Sequence, residues 1–205
     1  VSPELRPAIC ALPSTHLAQF PAVAALAGQP ERIAVLPLMQ LLTITTCPEP
    51  WIQHDLYLIH DGTTVFYVGQ SGCAFTRVWR HLQDGFKGRS LVGKFVRVNW
   101  PRSHRFTVEL MPSRTASTDD AMCVNATRDR AEQELIGALQ PCFNETHNPR
   151  PTPVPAGYKS PQATVSRPRH IKTMMREAEQ AWQQATNRSA WEPPVSGLQD
   201  REEEA

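Results

Sequence analysis

Two short runs of β-forming residues, Leu56 to Ile59 and Val65 to Val68, flank a turn that contains Asp61-Gly62. An Asp-Gly pair between such runs marks a β-hairpin. A lone hairpin is marginal in water, so the chain must cover this one with more strands or with helices. A three-residue loop, His60-Asp61-Gly62, with Gly62 in the left-handed position, pairs Ile59 with Thr63 and Tyr57 with Val65. Side chains alternate along a strand, so this register gathers Leu56, Leu58, Phe66 and Val68 on one face and Tyr57 with Tyr67 on the other. The first face is apolar and meant for a core. The second carries two phenols.

The flanking sequence supplies the cover. From Ala74 to Gln83, the residues Phe75, Val78, Trp79 and Leu82 recur at helical spacing, while Arg77 and His81 share a different face. After Gly85 and Gly88 the chain reads as strand over Val92 to Asn99 and over Phe106 to Leu110. A second helix spans about Arg128 to Leu139 and is stopped by Pro141. These alternating signals predict an α+β fold, a small central antiparallel sheet flanked by helices, over residues 55–148. Residues 1–54 hold eight prolines and two modest helical patterns, His16 to Leu26 and Ile33 to Leu42, and read as an N-terminal extension. Residues 149–169 form a Pro-rich basic linker, residues 170–186 a C-terminal helix, and residues 187–205 a disordered tail.

With 205 residues, 40% of them hydrophobic, one ordinary core plus extensions is expected. The longest apolar runs fall short of the ~20 residues that a membrane-spanning helix needs. No basic segment leads into an export signal, so a cytoplasmic protein with no membrane partner is expected. The five cysteines are scattered, with no paired spacing that suggests zinc or a disulfide framework, and each reads as a small reduced residue. The net charge of +1 conceals an uneven distribution. Between Arg77 and Arg114 stand nine Lys or Arg against only Asp84 and Glu109, and residues 159–176 contain no acid. Local excess of this size suits a polyanion, although charged runs are also ordinary solvated surface.

The hairpin residues and those that follow resemble the GIY-YIG nuclease superfamily. Leu56-Tyr57-Leu58 stands at the first motif, with Asp55 where the family often has Gly, and Tyr67-Val68-Gly69 at the second. Arg77 lies ten residues after Tyr67, and His81 four further on. The pattern Glu132-x-x-Leu135-Ile136, then Pro141 and Asn144, resembles the family's acidic helix and terminal Asn. The resemblance covers residues 55–148.

Each of these residues also has a plain reading. Strand tyrosines usually pack, and helix Arg and His residues are usually solvated. Gly69 ends a strand cheaply, yet would also let a phosphate approach the backbone. Glu132 falls on the same helical stripe as Leu135, Ile136 and Leu139, where a carboxylate needs compensation. A divalent cation would provide it; so would a capping role, because Asp129-x-x-Glu132 fits a variant capping box.

The resemblance implies a catalytic set of Tyr57, Tyr67, Arg77, His81, Glu132 and Asn144. Arg77 would hold a non-bridging phosphate oxygen. Glu132 would hold a single Mg²⁺ or Mn²⁺, and Tyr57 would orient or deprotonate water with His81 assisting. Tyr67 and Asn144 would support the site. An unperturbed phenol is only ~0.1% ionised at neutral pH, so a cation, Arg77 or the metal, is expected to lower the Tyr57 pKa. Lys87, Arg89, Lys94, Arg97, Arg102 and Arg105, with Gly69, would position DNA through its phosphates. The expected activity is metal-dependent endonucleolytic cleavage of DNA by a restriction or mobile-element nuclease. A homodimer is consistent with one site cutting one strand. A repair nuclease of the same family and a binding module without catalysis remain as alternatives.

Overall fold

The computed structural model describes residues 33–113, 121–163 and 170–191. Its four strands are β1 (Ala34–Pro37), β2 (Leu56–His60), β3 (Val65–Gln70) and β4 (Thr107–Met111). Five helices accompany them among the described residues: α1 (Leu38–Leu41), α2 (Ala74–Phe86), α3 (Leu91–Val98), α4 (Ala121–Leu139) and α5 (Ile171–Trp191). All the strand pairings are antiparallel and the order across the sheet is β1-β4-β2-β3. The architecture is α+β with a small antiparallel sheet.

The hairpin keeps the two phenols on one face but not in the expected register. Tyr57 stands opposite Gly69, Leu58 opposite Val68 and Ile59 opposite Tyr67, while His60 pairs with Val65. The turn is longer than three residues because the Asp61 carboxylate accepts bonds from the N–H groups of both Thr63 and Thr64, at 3.0 and 2.8 Å. This asparagine-like local turn absorbs residues that the sequence argument placed in the strands. A shift of four residues preserves each side chain's face. Val65 and Phe66 are the exceptions. Phe66 is the extra residue of a bulge, which turns it toward the phenol face, where it packs with Phe95 and Phe106 at centroid distances of 4.8 Å each, and Val65, on the far side of the bulge, moves to the opposite face with Leu56 and Leu58.

Each face of the sheet has its own core. On one, Leu56, Leu58, Val65, Val68 and Met111 meet Ala131, Leu135 and Ile136 of α4. On the other, Leu36, Tyr57, Ile59, Phe66, Val108 and Leu110 pack against α1, α2, α3 and α5.

Residues 92–99, expected as a strand, instead form α3. Their β-branched composition favours strand, but Val92, Phe95, Val96 and Asn99 are buried at helical spacing, and Ser90 caps the helix by accepting the Gly93 N–H at 3.1 Å. Tertiary contact then secures it. A Cβ at Gly93 would stand 1.9 Å from the His81 carbonyl oxygen, and one at Gly85 would stand 2.2 Å from the Gly93 carbonyl carbon. Only glycines allow α2 and α3 to approach this closely.

The outer boundaries also differ. Of the expected helix at 33–42, the first part is strand β1, paired with β4, so the segment assigned to the extension supplies part of the sheet. The other pattern, His16 to Leu26, lies outside the described residues. The Pro-rich segment is docked rather than free: Tyr158 packs edge-on against Phe66 and Phe106, and its hydroxyl donates to Asp61 at 2.8 Å. Helix α5 runs beyond residue 186 to Trp191 and buries Met174 and Ala178 in the phenol-face core. The rest of the expected tail lies outside the described residues.

Candidate active site

The register places the Tyr57 ring directly over Gly69. A Cβ on Gly69 would lie 2.3 Å from the Tyr57 Oη and 2.5 Å from its Cζ. The missing side chain is therefore explained by a phenol of the protein itself, in place of the phosphate approach considered from sequence. The Tyr57 and Tyr67 centroids are 6.0 Å apart, and His81 completes a triangle at 5.8 Å from Tyr57 and 5.3 Å from Tyr67.

Helix α2 delivers Arg77 and His81 to this cluster. The Tyr57 Oη is 2.7 Å from His81 Nε2. His81 Nδ1 is 2.8 Å from Ser90 Oγ, so the close α2–α3 crossing also fixes the imidazole. Arg77 hydrogen-bonds with Tyr57, and its charge acts on Tyr67 and His81 as well.

Glu132 acts on the cluster through its charge, from the other side of the sheet. Helix α4 covers the opposite face, but β3 is an edge strand, and the Glu132 charge acts on both phenols. Gln70, the last residue of β3, donates to Asp129 and hydrogen-bonds Glu132. The capping account of Glu132 fails on geometry. Because α4 begins at Ala121, Asp129 and Glu132 lie more than a turn inside the helix, where backbone N–H groups already have partners.

Asn144 holds the edge strand. Its Oδ1 accepts the Val68 N–H at 3.0 Å and its Nδ2 donates to the Val68 carbonyl at 2.8 Å, with Cys142 and Phe143 N–H groups donating to Val65 and Phe66. Residues 142–144 thus complete the outer side of β3 around the Tyr67-Val68-Gly69 segment. Asp55, at the start of β2, accepts from the Ser113 N–H and hydroxyl, each at 2.7 Å, and so ties β2 to the chain leaving β4.

Burial decides the protonation states. It pushes the Tyr57 hydroxyl well above its ordinary range, Tyr67 adds to the rise, and Arg77 opposes it without reversing it. The expectation that a cation leaves Tyr57 with a lowered pKa is overturned for the protein alone: desolvation outweighs the guanidinium. Tyr67 is raised as well, first by burial and then by Glu132. Burial, helped by Arg77, lowers His81 to about 4, so it is neutral at pH 7. Glu132 is raised by burial, and Asp129 contributes.

The basic residues are spread over several elements. Lys87 and Arg89 are exposed in the α2–α3 loop, and the Lys94 stem passes close to Gly88 in that loop, one turn from Ser90. Arg97 is half-buried on α3, and Arg105 is exposed beyond its far end. Arg102 has partners already: its guanidinium lies 4.2 Å from the Tyr158 ring centroid and donates to the Gly157 carbonyl at 2.6 Å.

Ser90, Gln70 and the Gly85–Gly93 crossing were not singled out from sequence. A Ser three residues before a Gly inside an apolar run is a helix-start signal, and the eight-residue Gly spacing marks a close approach. Among the described residues no three His, Cys, Asp or Glu side chains are grouped to hold a metal. A comparison with family models, curated proteins and solved structures finds no match to the chain.

Proposed function

We propose that the protein is a metal-dependent endonuclease of the GIY-YIG type that hydrolyses DNA phosphodiester bonds. The observation that carries this reading is the convergence of Tyr57, Tyr67, Arg77 and His81 in one cluster, on whose two phenols the charge of Glu132 also acts from a helix on the opposite face. A packing role alone would not require four polar side chains, from two strands and a helix, to meet beside an acid.

Phosphodiester hydrolysis needs an activated water and fixed positive charge at the phosphoryl oxygens. Arg77 supplies the charge. Tyr57 begins as a neutral phenol, so its oxygen takes a proton from water only as its own proton passes to neutral His81 across the 2.7 Å contact. Arg77 donates to the Tyr57 oxygen and steadies the charge that develops there. Ser90 orients the imidazole.

The residues present fit a single divalent cation. The Glu132 carboxyl is half-buried, has a raised proton affinity, and has Asp129 one turn away, which is a place where added positive charge is favourable. Mg²⁺ is commonly held by one or two carboxylates with water completing its octahedron. When bound, the cation would neutralise phosphate charge and stabilise the leaving oxygen. Lys87, Arg89 and Lys94 flank the His81 side of the cluster and would track the phosphate backbone.

The near-complete burial of Tyr57, which is 1% exposed, favours a second reading, a module that binds nucleic acid without cutting it. Incubation with supercoiled plasmid, in Mg²⁺ and in chelator, separates the two. The nuclease reading predicts Mg²⁺-dependent nicking or linearisation, lowered ~10²–10³-fold in Arg77→Ala and lost in Glu132→Ala. Binding with no cleavage selects the module, and equal cleavage by both variants refutes the site.

A further inference from the structure

Two cysteines far apart in sequence meet at the start of α2. Cys47 lies in the loop after α1 and Cys73 immediately precedes α2, and their sulfurs are 3.8 Å apart. Both are reduced and only partly buried, so a small molecule in solution can reach them. The contact is braced independently, because the Trp79 indole of α2 donates to the Ile44 carbonyl of the same loop at 3.1 Å.

The two sulfurs have unequal surroundings. Cys73 sits at the positive end of a 13-residue helix, and its sulfur accepts the Thr76 hydroxyl at 3.3 Å. Burial of Cys73 is outweighed by these contacts and the nearby Phe75 and Thr76 N–H groups, and its thiol is lowered below the ordinary range. Burial pushes Cys47 up to about 11, with Cys73 contributing. Cys73 gives up its proton more readily than its neighbour. That is the division of labour between an attacking and a resolving cysteine.

We propose that Cys47 and Cys73 form a redox-active dithiol, an intramolecular disulfide site whose oxidant is hydrogen peroxide. The Cys73 sulfur attacks a peroxide oxygen and the O–O bond breaks. The departing oxygen, with the proton shed by Cys73, leaves as water, and Cys73 becomes a sulfenic acid. The Cys47 sulfur then attacks that of Cys73; the S–O bond breaks, and hydroxide leaves with the Cys47 proton as a second water. Two thiols are oxidised by two electrons and one peroxide is reduced. Closing the contact to a ~2.0 Å S–S bond requires a movement smaller than a side-chain rotation supplies. The site does not depend on the nuclease reading.

The test treats the full chain with graded hydrogen peroxide, followed by alkylation and peptide mass spectrometry. A cross-linked peptide pair containing Cys47 and Cys73 is expected, with two fewer alkylated thiols. Cys142 is half-buried, and desolvation with Asp61 pushes it up to about 11, so Cys73 should be oxidised more than ~10-fold faster because the thiolate is the reactive form. In Cys47→Ser, a sulfenic acid at Cys73 should be trapped by dimedone; in Cys73→Ser, Cys47 should stay reduced. Equal oxidation of Cys73 and Cys142, or over-oxidation of Cys73 in the unmodified chain with Cys47 still alkylatable, overturns the proposal. Neither comparison requires a variant to fold.

Discussion

Replacing Gly69 by Ala tests the stacking of Tyr57 on β3 through a change of sign. Gly69 is not among the glycines with positive φ, so Ala suits the backbone there. Taken alone, Gly→Ala inside a strand is worth about 0.5–1 kcal/mol of added stability, because the unfolded chain loses freedom. In the native protein the new methyl would stand 2.3 Å from the Tyr57 Oη and 2.5 Å from Cζ, well inside contact distance. Tyr57 is 1% exposed, so its ring has no free space to enter, and overpacking of this kind costs about 1–3 kcal/mol. The balance is a net loss of about 1–2 kcal/mol, which lowers Tm by roughly 2–8 °C for a chain of this size. In a Tyr57→Ala background the clash is gone, and Gly69→Ala should stabilise by about 0.5–1 kcal/mol. The assay is a double-mutant cycle by urea denaturation. Destabilisation of similar size in both backgrounds refutes the idea that Gly69 exists to seat the phenol.

Because His81 is held near 4 while an unfolded histidine titrates near 6.5, the unfolded chain binds the extra proton first as pH falls. The stability associated with a neutral His81 is therefore complete above pH 6.5 and is lost between 6.5 and 4, on the order of 3 kcal/mol; pH-dependent denaturation of His81→Gln should show a shallower loss. Asn144→Ala leaves the Val68 N–H and C=O without their buried partners and should cost about 1–3 kcal/mol, with faster hydrogen exchange at the Val68 amide. Gly93→Ala drives a methyl to 1.9 Å from the His81 carbonyl, and should destabilise by about 3 kcal/mol or more while shifting the His81 ring resonances as Ser90 moves away.

Period-two alternation was enough to put Tyr57 and Tyr67 on one face, because any even shift of register leaves faces unchanged. The true partner of Tyr57 was not legible. It depends on how the Asp61 carboxylate lengthens the turn and on the bulge at Phe66, and neither leaves a periodic trace. Helix α3 was concealed by Val92, Val96 and Val98, whose branched side chains favour strands, while the deciding contact, Gly93 against α2, lies between elements. Strand β1 was concealed in the opposite way: Ile33 to Leu42 is apolar enough to fit either period. The protonation of the site was the least accessible part, since Arg77 was visible as a neighbour but the burial that overrides it is a property of the assembled core.

The arrangement of residues 142–144 along β3 also bears on self-association. With Cys142, Phe143 and the Asn144 amide already engaging the main chain of that strand, no second copy can extend the sheet by adding a strand there. Any pairing of two copies through this sheet would have to use the opposite edge, β1, and β3 stays a finished margin.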